Sequence, residues 1–123
     1  TTSGWARALR DPAISAAIRA IQEDPRSPWT VAGLAQRSNL SRAAFARRFT
    51  ELTGQPPLTY LTWWRMTIAA RLLQTTEEPL AVIADRVGYG TEYAFSKAFK
   101  RELGVAPSRY RASARAAREA EGA

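Results

Sequence analysis

Two stretches of the sequence, fifty residues apart, place short, hydroxyl and basic side chains on what would be one face of a helix. If Phe45 points into a core, Arg47 projects to the opposite side, and Lys97 stands in the same relation to Phe95. Basic and hydroxyl side chains form hydrogen bonds with nucleic-acid bases and phosphates, and alanines let a helix approach a surface closely. The chemistry indicated by these faces is recognition of a polyanion.

The composition agrees with a polyanionic partner and leaves little for catalysis. Of the 123 residues, 18 are Lys or Arg and 11 are Asp or Glu, which gives a formal net charge of +7. Histidine and cysteine are absent, so the commonest general base, thiol nucleophiles and thiolate metal sites are excluded. The adjacent carboxylates of Glu77 and Glu78 fall in a predicted loop without an identifiable pocket. We predict no enzyme activity, no catalytic residue, no metal site and no cofactor.

The two faces belong to a repeated module. When residues 30–60 are laid over residues 80–110, six positions match in type at an offset of fifty: Ser41 and Thr91, Phe45 and Phe95, Phe49 and Phe99, Gly54 and Gly104, Pro57 and Pro107, and Tyr60 and Tyr110. Upstream, Leu34-Ala35 matches Ile83-Ala84 at an offset of forty-nine, so the second copy has one extra residue in its turn. Two copies with so long a period indicate a duplicated small module rather than a solenoid.

Each copy has the pattern of a helix-turn-helix, in which a short helix, a tight turn and a capped second helix follow one another. The predicted elements are a Thr30-capped helix over 31–37 and a Ser41-capped helix over 42–53 that ends at Gly54, then a helix over 80–87 and a Thr91-capped helix over 92–103 that ends at Gly104. The glycines of the second turn, Gly88 and Gly90, allow a positive φ.

Between the two copies lies the longest predicted helix, residues 57–74, which begins at Pro57. Its apolar side chains fall on two opposite faces: Leu61, Trp64, Ile68 and Leu72 on one, and Trp63, Met66, Ala70 and Leu73 on the other. A helix that is apolar on two sides contacts a module on each side. We interpret Trp63 and Trp64 as core residues rather than as stacking platforms for single-stranded bases.

These elements define an all-α fold of seven helices, in which two helix-turn-helix subdomains are joined by a long central helix. The first helix opens at Asp11-Pro12, an N-cap followed by proline, and its buried stripe would be Ile14, Ile18 and Ile21. The predicted organisation is a linker remnant over 1–10, a first subdomain over 11–56, a connecting helix over 57–75, a second subdomain over 76–118 and a frayed tail over 119–123.

The chain resembles the AraC/XylS family of transcription regulators over about residues 29–111. The residues that carry the likeness are Leu34-Ala35, Ser41, Phe45, Arg48-Phe49, Gly54, Pro57, Tyr60-Leu61, Arg65-Met66, Ala69, Leu72-Leu73, Ile83-Ala84, Val87-Gly88-Tyr89, Phe95, Phe99-Lys100-Arg101, Gly104, Pro107 and Tyr110-Arg111. The resemblance implies a seven-helix DNA-binding domain whose two recognition helices enter successive major grooves. It also implies a separate N-terminal sensing and dimerising domain, and Trp5 with Asp11-Pro12 and the segment 60–66 resembles the branch whose sensor is cupin-like.

The resemblance also assigns base-facing positions, namely Arg42, Ala43, Ala46 and Arg47 in the first recognition helix and Glu92, Tyr93, Ser96 and Lys97 in the second. Arg47 would be the main hydrogen-bonding reader of its helix, and Ala43 or Ala46 could contact a thymine methyl group. Glu92 would either accept from a cytosine amino group or serve the helix N-terminus as a first-turn charge, and we favour the second. Helix N-termini and flanking cations supply the candidates for phosphate contacts: Arg37, Ser41, Arg48, Thr50, Arg65, Thr91, Lys100 and Arg101.

We therefore expect sequence-specific binding of double-stranded DNA by a bacterial transcription regulator, located in the cytoplasm at the nucleoid. A helix of 18 residues is about 27 Å long, and successive major grooves lie roughly 34 Å apart, so the DNA would bend somewhat to meet both readers. The alternatives are a non-specific architectural DNA-binding domain and a helical module that binds an acidic protein.

The remaining expectations concern the protein as a whole. No apolar run or signal peptide indicates a membrane. The chain starts without methionine, so we expect a monomeric fragment of a longer protein that dimerises through its N-terminal domain. RNA polymerase would be a partner of that longer protein.

Overall fold

The computed structural model describes the backbone of residues 2–122 and the side chains of residues 4–122. Within that part of the chain all regular secondary structure is helical, which confirms the all-α prediction. Eight helices form there rather than the expected seven: α1 (Thr2–Arg10), α2 (Pro12–Glu23), α3 (Val31–Arg37), α4 (Arg42–Thr53), α5 (Pro57–Thr75), α6 (Leu80–Arg86), α7 (Glu92–Leu103) and α8 (Pro107–Gly122). None of these eight combines the length and the apolar composition needed to span a membrane.

The chain folds as two compact units, and the division falls inside α5. The first unit extends to Trp64 and the second begins at Arg65. Each unit contains one helix-turn-helix, α3 with α4 in the first and α6 with α7 in the second. Each also has its own cluster of buried apolar side chains.

In the first unit, α2 begins where the sequence predicts and buries the predicted stripe. The Asp11 carboxylate accepts hydrogen bonds from the backbone N–H groups of Ala13 and Ile14, both at 3.1 Å, and Pro12 occupies the first helical position. Fully buried side chains from three helices form the centre of the core: Ile14, Ile21, Leu34, Phe45 and Phe49.

The sequence predicted a linker remnant over residues 1–10, and this prediction is wrong. The structure has a helix there, α1, which is the eighth helix. Thr1 lies outside the described residues, but Thr2–Arg10 is helical. Ala8 is fully buried, and the Trp5 ring lies 5.7 Å from the Tyr60 ring. Because a short helix is stabilised mainly by packing of its apolar face, the few apolar residues of this stretch were a weak signal in the sequence.

In the second unit, apolar side chains of α5, α6 and α7 surround two buried phenylalanines. The buried residues are Met66, Ala69, Leu73, Ile83, Ala84, Val87, Phe95 and Phe99, and Tyr110 of α8 packs against them. The inward direction predicted for Phe45, Phe49, Phe95 and Phe99 is therefore correct in both units, since all four are fully buried.

The last helix is longer than expected, because the predicted frayed tail over 119–123 is helical as far as Gly122. Ala123 lies outside the described residues. Arginines of α8 contact the end of α5 and the loop that follows it: Arg118 donates to the carbonyl of Gln74, and Arg115 forms an ion pair with Glu77 at 2.5 Å. These contacts link residues about forty positions apart, so helical periodicity alone did not indicate them.

Helix α5 contributes to both cores, but its contributions divide along its length rather than between two opposite faces. Tyr60 and Leu61 belong to the first core, whereas Met66, Ala69 and Leu73 belong to the second. Ile68 and Leu72, which were expected to share a partner with Leu61, pack on the second core instead. The core prediction for Trp63 is wrong, because 51% of its surface is exposed, whereas Trp64 packs against the first core.

The two helix-turn-helix turns share two backbone features, a residue with positive φ and a matching hydrogen bond. Asn39 in the first has a φ of 56°, and Gly88, its counterpart at an offset of forty-nine, has a φ of 89°. In the first turn the Leu40 N–H donates to Ala35 at 3.1 Å, and in the second the Tyr89 N–H donates to Ala84 at 2.9 Å. The extra residue of the second turn is Gly90, whose φ is not positive, so only Gly88 uses the freedom of glycine there.

Candidate nucleic-acid interface

Helix α4 is held at both ends and along its inner side. The Ser41 hydroxyl oxygen accepts a hydrogen bond from the Ala44 N–H at 3.2 Å, and Gly54 ends the helix with a φ of 83°. On the inner side the Phe45 and Phe49 rings are fully buried and lie 5.8 Å apart. These three restraints fix which side chains of α4 face outward.

The same devices hold α7. The Thr91 hydroxyl oxygen accepts from the Ala94 N–H at 3.0 Å, and Gly104 has a φ of 82°. Phe95 and Phe99 are fully buried, with ring centroids 5.8 Å apart. Both predicted recognition helices therefore expose a face whose direction is set by a buried phenylalanine pair.

The eight predicted base-facing residues lie on α4 and α7. Six of them are exposed, namely Arg42, Ala43, Arg47, Glu92, Tyr93 and Lys97, and two are partly buried, namely Ala46 and Ser96. Their assignment to base contacts stays a prediction. On α4, Arg47 also borders an open cleft of about 260 Å³ that Leu40, Ala44, Arg48 and Glu51 complete.

Among the predicted phosphate contacts, several arginines have partners within the protein. The Arg48 guanidinium forms an ion pair with Asp11 at 2.5 Å, and the Asp11 side chain is only 10% exposed. Arg37 lies over the Trp29 ring, 5.3 Å from its centroid, and Arg101 pairs with Glu102 at 3.1 Å. Arg48 therefore connects α4 to the start of α2, a role that the sequence did not reveal.

Arg65 is placed differently from the other candidate cations, because it is partly buried beneath the second turn. Its guanidinium carbon lies 5.8 Å from the centre of the Tyr89 ring, and a Cβ added to Gly88 would come within 2.8 Å of the guanidinium. Burial lowers the pKa of Arg65 below its ordinary value, and Tyr89 opposes part of that shift. Arg65 supports the turn that precedes α7.

The hydroxyl candidates Ser41 and Thr91 serve as the N-caps of α4 and α7, and Thr50 donates to the carbonyl of Ala46 at 2.8 Å. Lys100 is exposed. The capping hydroxyls lie where backbone N–H groups also point outward, which is the arrangement that helix N-termini use to contact phosphates.

Buried Tyr60 and partly buried Tyr110 have hydrogen-bond partners that sequence reasoning missed. Gln22 donates to the Tyr60 hydroxyl at 3.0 Å, and Gln74 donates to the Tyr110 hydroxyl at 2.5 Å. Burial raises the pKa of Tyr60 above its ordinary value, and the hydrogen bond from Gln22 opposes part of that shift. The two glutamines are fifty-two residues apart, so extending the repeat alignment upstream with a small gap would have found them.

Comparison with known proteins places this geometry in a family. A family model described as "Helix-turn-helix domain" matches residues 34–113. A putative AraC-like transcription regulator of Streptomyces antibioticus is 49% identical over 109 residues, which cover 89% of this chain and 36% of that protein. The HTH-type transcriptional regulator AlkR of Acinetobacter baylyi is 42% identical over 107 residues, covering 87% and 35%.

Solved structures agree with these relatives. The DNA-binding domain of the global transcriptional factor AdpA, in complex with a target DNA, is 37% identical with a TM-score of 0.83, and the match covers 89% of this chain and 97% of that one. The C-terminal domain of AraT, a response regulator from Geobacillus stearothermophilus, is 38% identical with a TM-score of 0.79, and covers 83% and 85%.

The chain belongs to this helix-turn-helix family, as a DNA-binding domain of the AraC type. Membership of a family of DNA-binding domains confirms the resemblance stated above and the expectation that the chain is not an enzyme. The chain spans about a third of the length of the curated relatives it matches.

Proposed function

We propose that this chain binds double-stranded DNA sequence-specifically, as the DNA-reading part of a bacterial transcription regulator. The observation that carries the proposal is the matched pair of outward faces on α4 and α7, with Arg47 and Lys97 at equivalent positions and both exposed. The net charge of +7 favours a polyanion, and the AdpA domain of similar fold is bound to a target DNA.

In the first unit, α4 would enter a major groove. Arg47 would donate to O6 and N7 of a guanine, with Arg42 as a second donor, and exposed Ala43 would lie against a thymine methyl group. Partly buried Ala46 leaves room for the helix backbone to approach the base edges. The small residues on this face let α4 approach the DNA closely, while Arg47 and Arg42 remain available to form hydrogen bonds with the bases.

In the second unit, α7 would read a separate short block. Lys97 and Ser96 would contact base edges, because their side chains share the outward face of the helix. Glu92 occupies the first turn directly after the Thr91 cap, where a negative charge is stabilised by the helix dipole. We therefore keep its proposed role as a first-turn charge rather than as a cytosine reader.

Phosphate contacts would position the two helices on the duplex. The N-termini of α4 and α7 at Ser41 and Thr91, together with exposed Lys100, are the strongest candidates. Arg48 and Arg65 would act by holding α4 and the second turn in place, since both are engaged within their own unit.

The relatives are nearly three times as long as the match, which supports a larger protein around this domain. We propose that it carries a separate sensing and dimerising domain, contacts RNA polymerase and works in the cytoplasm on the nucleoid. Without that domain the chain itself would be monomeric.

The experiment that tests the proposal is selection of duplexes from a random library with the purified chain near physiological salt. We expect enrichment of two short conserved blocks about one helical turn apart, one for each recognition helix. Binding that depends on salt but enriches no sequence would overturn sequence-specific reading in favour of an architectural role.

Matched variants assign each enriched block to a helix. Arg47→Ala should relax the preference in one block and Lys97→Ala the preference in the other. Arg19→Ala removes an exposed arginine from α2 and serves as the control, because it should weaken binding to specific and random duplexes equally.

A further inference from the structure

The most exposed large apolar side chain of the described residues lies on the proposed reading face of α7. Tyr93 is 73% exposed, compared with 58% for Leu9 and 51% for Trp63. It is the second residue of α7, two positions before buried Phe95. A phenol ring this exposed buries little of its surface within its own unit, and tyrosine is a residue type enriched at interfaces.

Tyr93 is paired with the basic reader of the same helix. The Lys97 ammonium lies 5.8 Å from the centre of the Tyr93 ring, a cation–π distance, and the two residues are four positions apart on one helix face. An apolar ring and a cation are therefore presented side by side on the outward face of α7.

The first recognition helix has no such pair. At the equivalent positions α4 carries Ala43 and Arg47, so the cation is retained while the ring is replaced by a methyl group. The two helices thus differ at this position in how far an apolar surface projects from the helix. The Tyr93 ring can therefore contact an apolar group of the partner that lies too far from the helix for the methyl group of Ala43 to reach.

We propose that Tyr93 is a specificity-determining residue whose ring packs against the 5-methyl group of a thymine in the block read by α7, beside a guanine that Lys97 contacts. The 5-methyl group of thymine is the apolar group that the major groove presents, and aromatic side chains contact it. Lysine donates to O6 and N7 of guanine. The inference rests on the proposed DNA-binding function and names the base that this site selects.

The test uses the enriched operator with each thymine of the α7 block replaced in turn by deoxyuridine, which removes the methyl group and keeps every hydrogen bond. For the unmodified protein we expect one position at which affinity falls about three- to fivefold, the effect of losing one buried methyl group. With Tyr93→Ala the same replacement should change affinity by less than the error of the measurement.

Two controls make the result specific. Tyr93→Phe keeps the ring and should retain the deoxyuridine effect. If Tyr93→Phe instead loses the deoxyuridine effect as fully as Tyr93→Ala does, the hydroxyl group makes the contact rather than the ring, and the proposal is overturned. The effect of deoxyuridine in the α4 block should be the same in the unmodified protein and in Tyr93→Ala, because Ala43 and Ala46 remain.

The outcomes separate this inference from the proposed function. An operator that binds specifically but tolerates deoxyuridine at every thymine of the α7 block overturns the thymine contact and leaves specific DNA binding intact. Absence of any enriched operator overturns the proposed function itself. Retention of the deoxyuridine effect in Tyr93→Ala overturns the assignment to Tyr93, since another residue would then contact the methyl group.

Discussion

The two units have nearly the same interior and different surfaces. The Phe45 and Phe49 rings are 5.8 Å apart at an interplanar angle of 54°, and the Phe95 and Phe99 rings are 5.8 Å apart at 53°. A tyrosine adds to each pair, Tyr60 in the first unit and Tyr110 in the second, and each accepts a hydrogen bond from a glutamine. The contacts that build the helix-turn-helix are thus retained in both copies.

Outside the core, the polar contacts that fix the helices differ between the two units. In the first, Arg48 ties α4 to Asp11 at the start of α2, whereas the equivalent position in the second is buried Ala98. In the second, Arg111 donates to the carbonyls of Leu73, at 3.3 Å, and Glu78, at 2.8 Å. Packing restricts the buried positions, while the surface positions are left to set how each unit is supported and what it reads.

Truncation of one core phenylalanine should have the largest effect, because it lowers the stability of one unit and leaves the other unchanged. Phe99→Ala should destabilise the second unit by roughly 3–5 kcal/mol, because it removes a fully buried ring and leaves a cavity. Phe49→Ala should do the same to the first unit. Hydrogen exchange of α7 and α4, respectively, measures the two losses separately.

Tryptophan fluorescence adds a second readout, since Trp5, Trp29, Trp63 and Trp64 are the four tryptophans of the chain and precede Arg65, where the second unit begins. The midpoint of the unfolding transition that they report should fall to a lower denaturant concentration in Phe49→Ala and stay unchanged in Phe99→Ala. Equal shifts in the two variants would show that the units unfold as one. An unchanged stability of α7 in Phe99→Ala would refute its place in the core.

Much of this similarity could be predicted from the sequence because it depends on local rules. The hydroxyl N-caps Ser41 and Thr91, the C-terminal glycines Gly54 and Gly104 and the inward phenylalanines each follow from neighbouring residues and helical periodicity. The repeat strengthened every such prediction by supplying a second copy. The directions of the two outward faces followed from the same reasoning.

The errors occurred where distant contacts decide the structure. Helix α1 forms because Ala8 and Trp5 pack on other helices of the first unit, and Arg115 of α8 meets Glu77, thirty-eight residues away. The apolar faces of α5 suggested two partners but not that Leu61 and Leu72 would join different cores. No periodicity in the sequence pairs Asp11 with Arg48, thirty-seven residues away.

The next effect sharpens the difference between the two reading faces. Arg47→Ala should weaken binding to the selected operator by roughly 1–3 kcal/mol and relax preference at one base pair, because an exposed guanidinium that reads a base is lost. Affinity for operator and random duplexes at one salt concentration measures this. A loss of the same size on both duplexes would mean that Arg47 contacts only phosphate.

An effect of similar size tests the second turn. Gly88→Ala should destabilise the second unit by about 1–3 kcal/mol, because alanine is strained at a φ of 89° and its Cβ would meet the Arg65 guanidinium. Gly90→Ala is the matched control, since nothing lies within 4 Å of a Cβ there and its φ is not positive, and it should be neutral or slightly stabilising. Urea unfolding followed by hydrogen exchange of α7 distinguishes the two, and equal losses would refute the strain at Gly88.

The smallest effect concerns Asp11, through which the first unit gains a dependence on pH. Burial by itself would raise the pKa of Asp11, but hydrogen bonds from the Ile14 N–H and from Arg48 outweigh it and hold the pKa below its ordinary value. A carboxyl whose pKa is lowered in the folded state stabilises that state above its unfolded pKa and loses the contribution as pH falls through the folded value.

Asp11→Asn keeps an N-cap but removes the charge, so at pH 6 it should be less stable than the unmodified protein by up to about 1 kcal/mol. The difference should begin to shrink as pH falls below the unfolded pKa and should approach zero below the lowered folded pKa, where the unmodified carboxyl is protonated in both states. Adding Arg48→Met to both proteins should narrow the difference in stability at pH 6, since the ion pair no longer lowers the pKa of Asp11. Tryptophan-monitored urea unfolding from pH 6 to pH 2.5 measures all four proteins, and a difference that does not vary with pH would show that Asp11 acts only as a neutral cap.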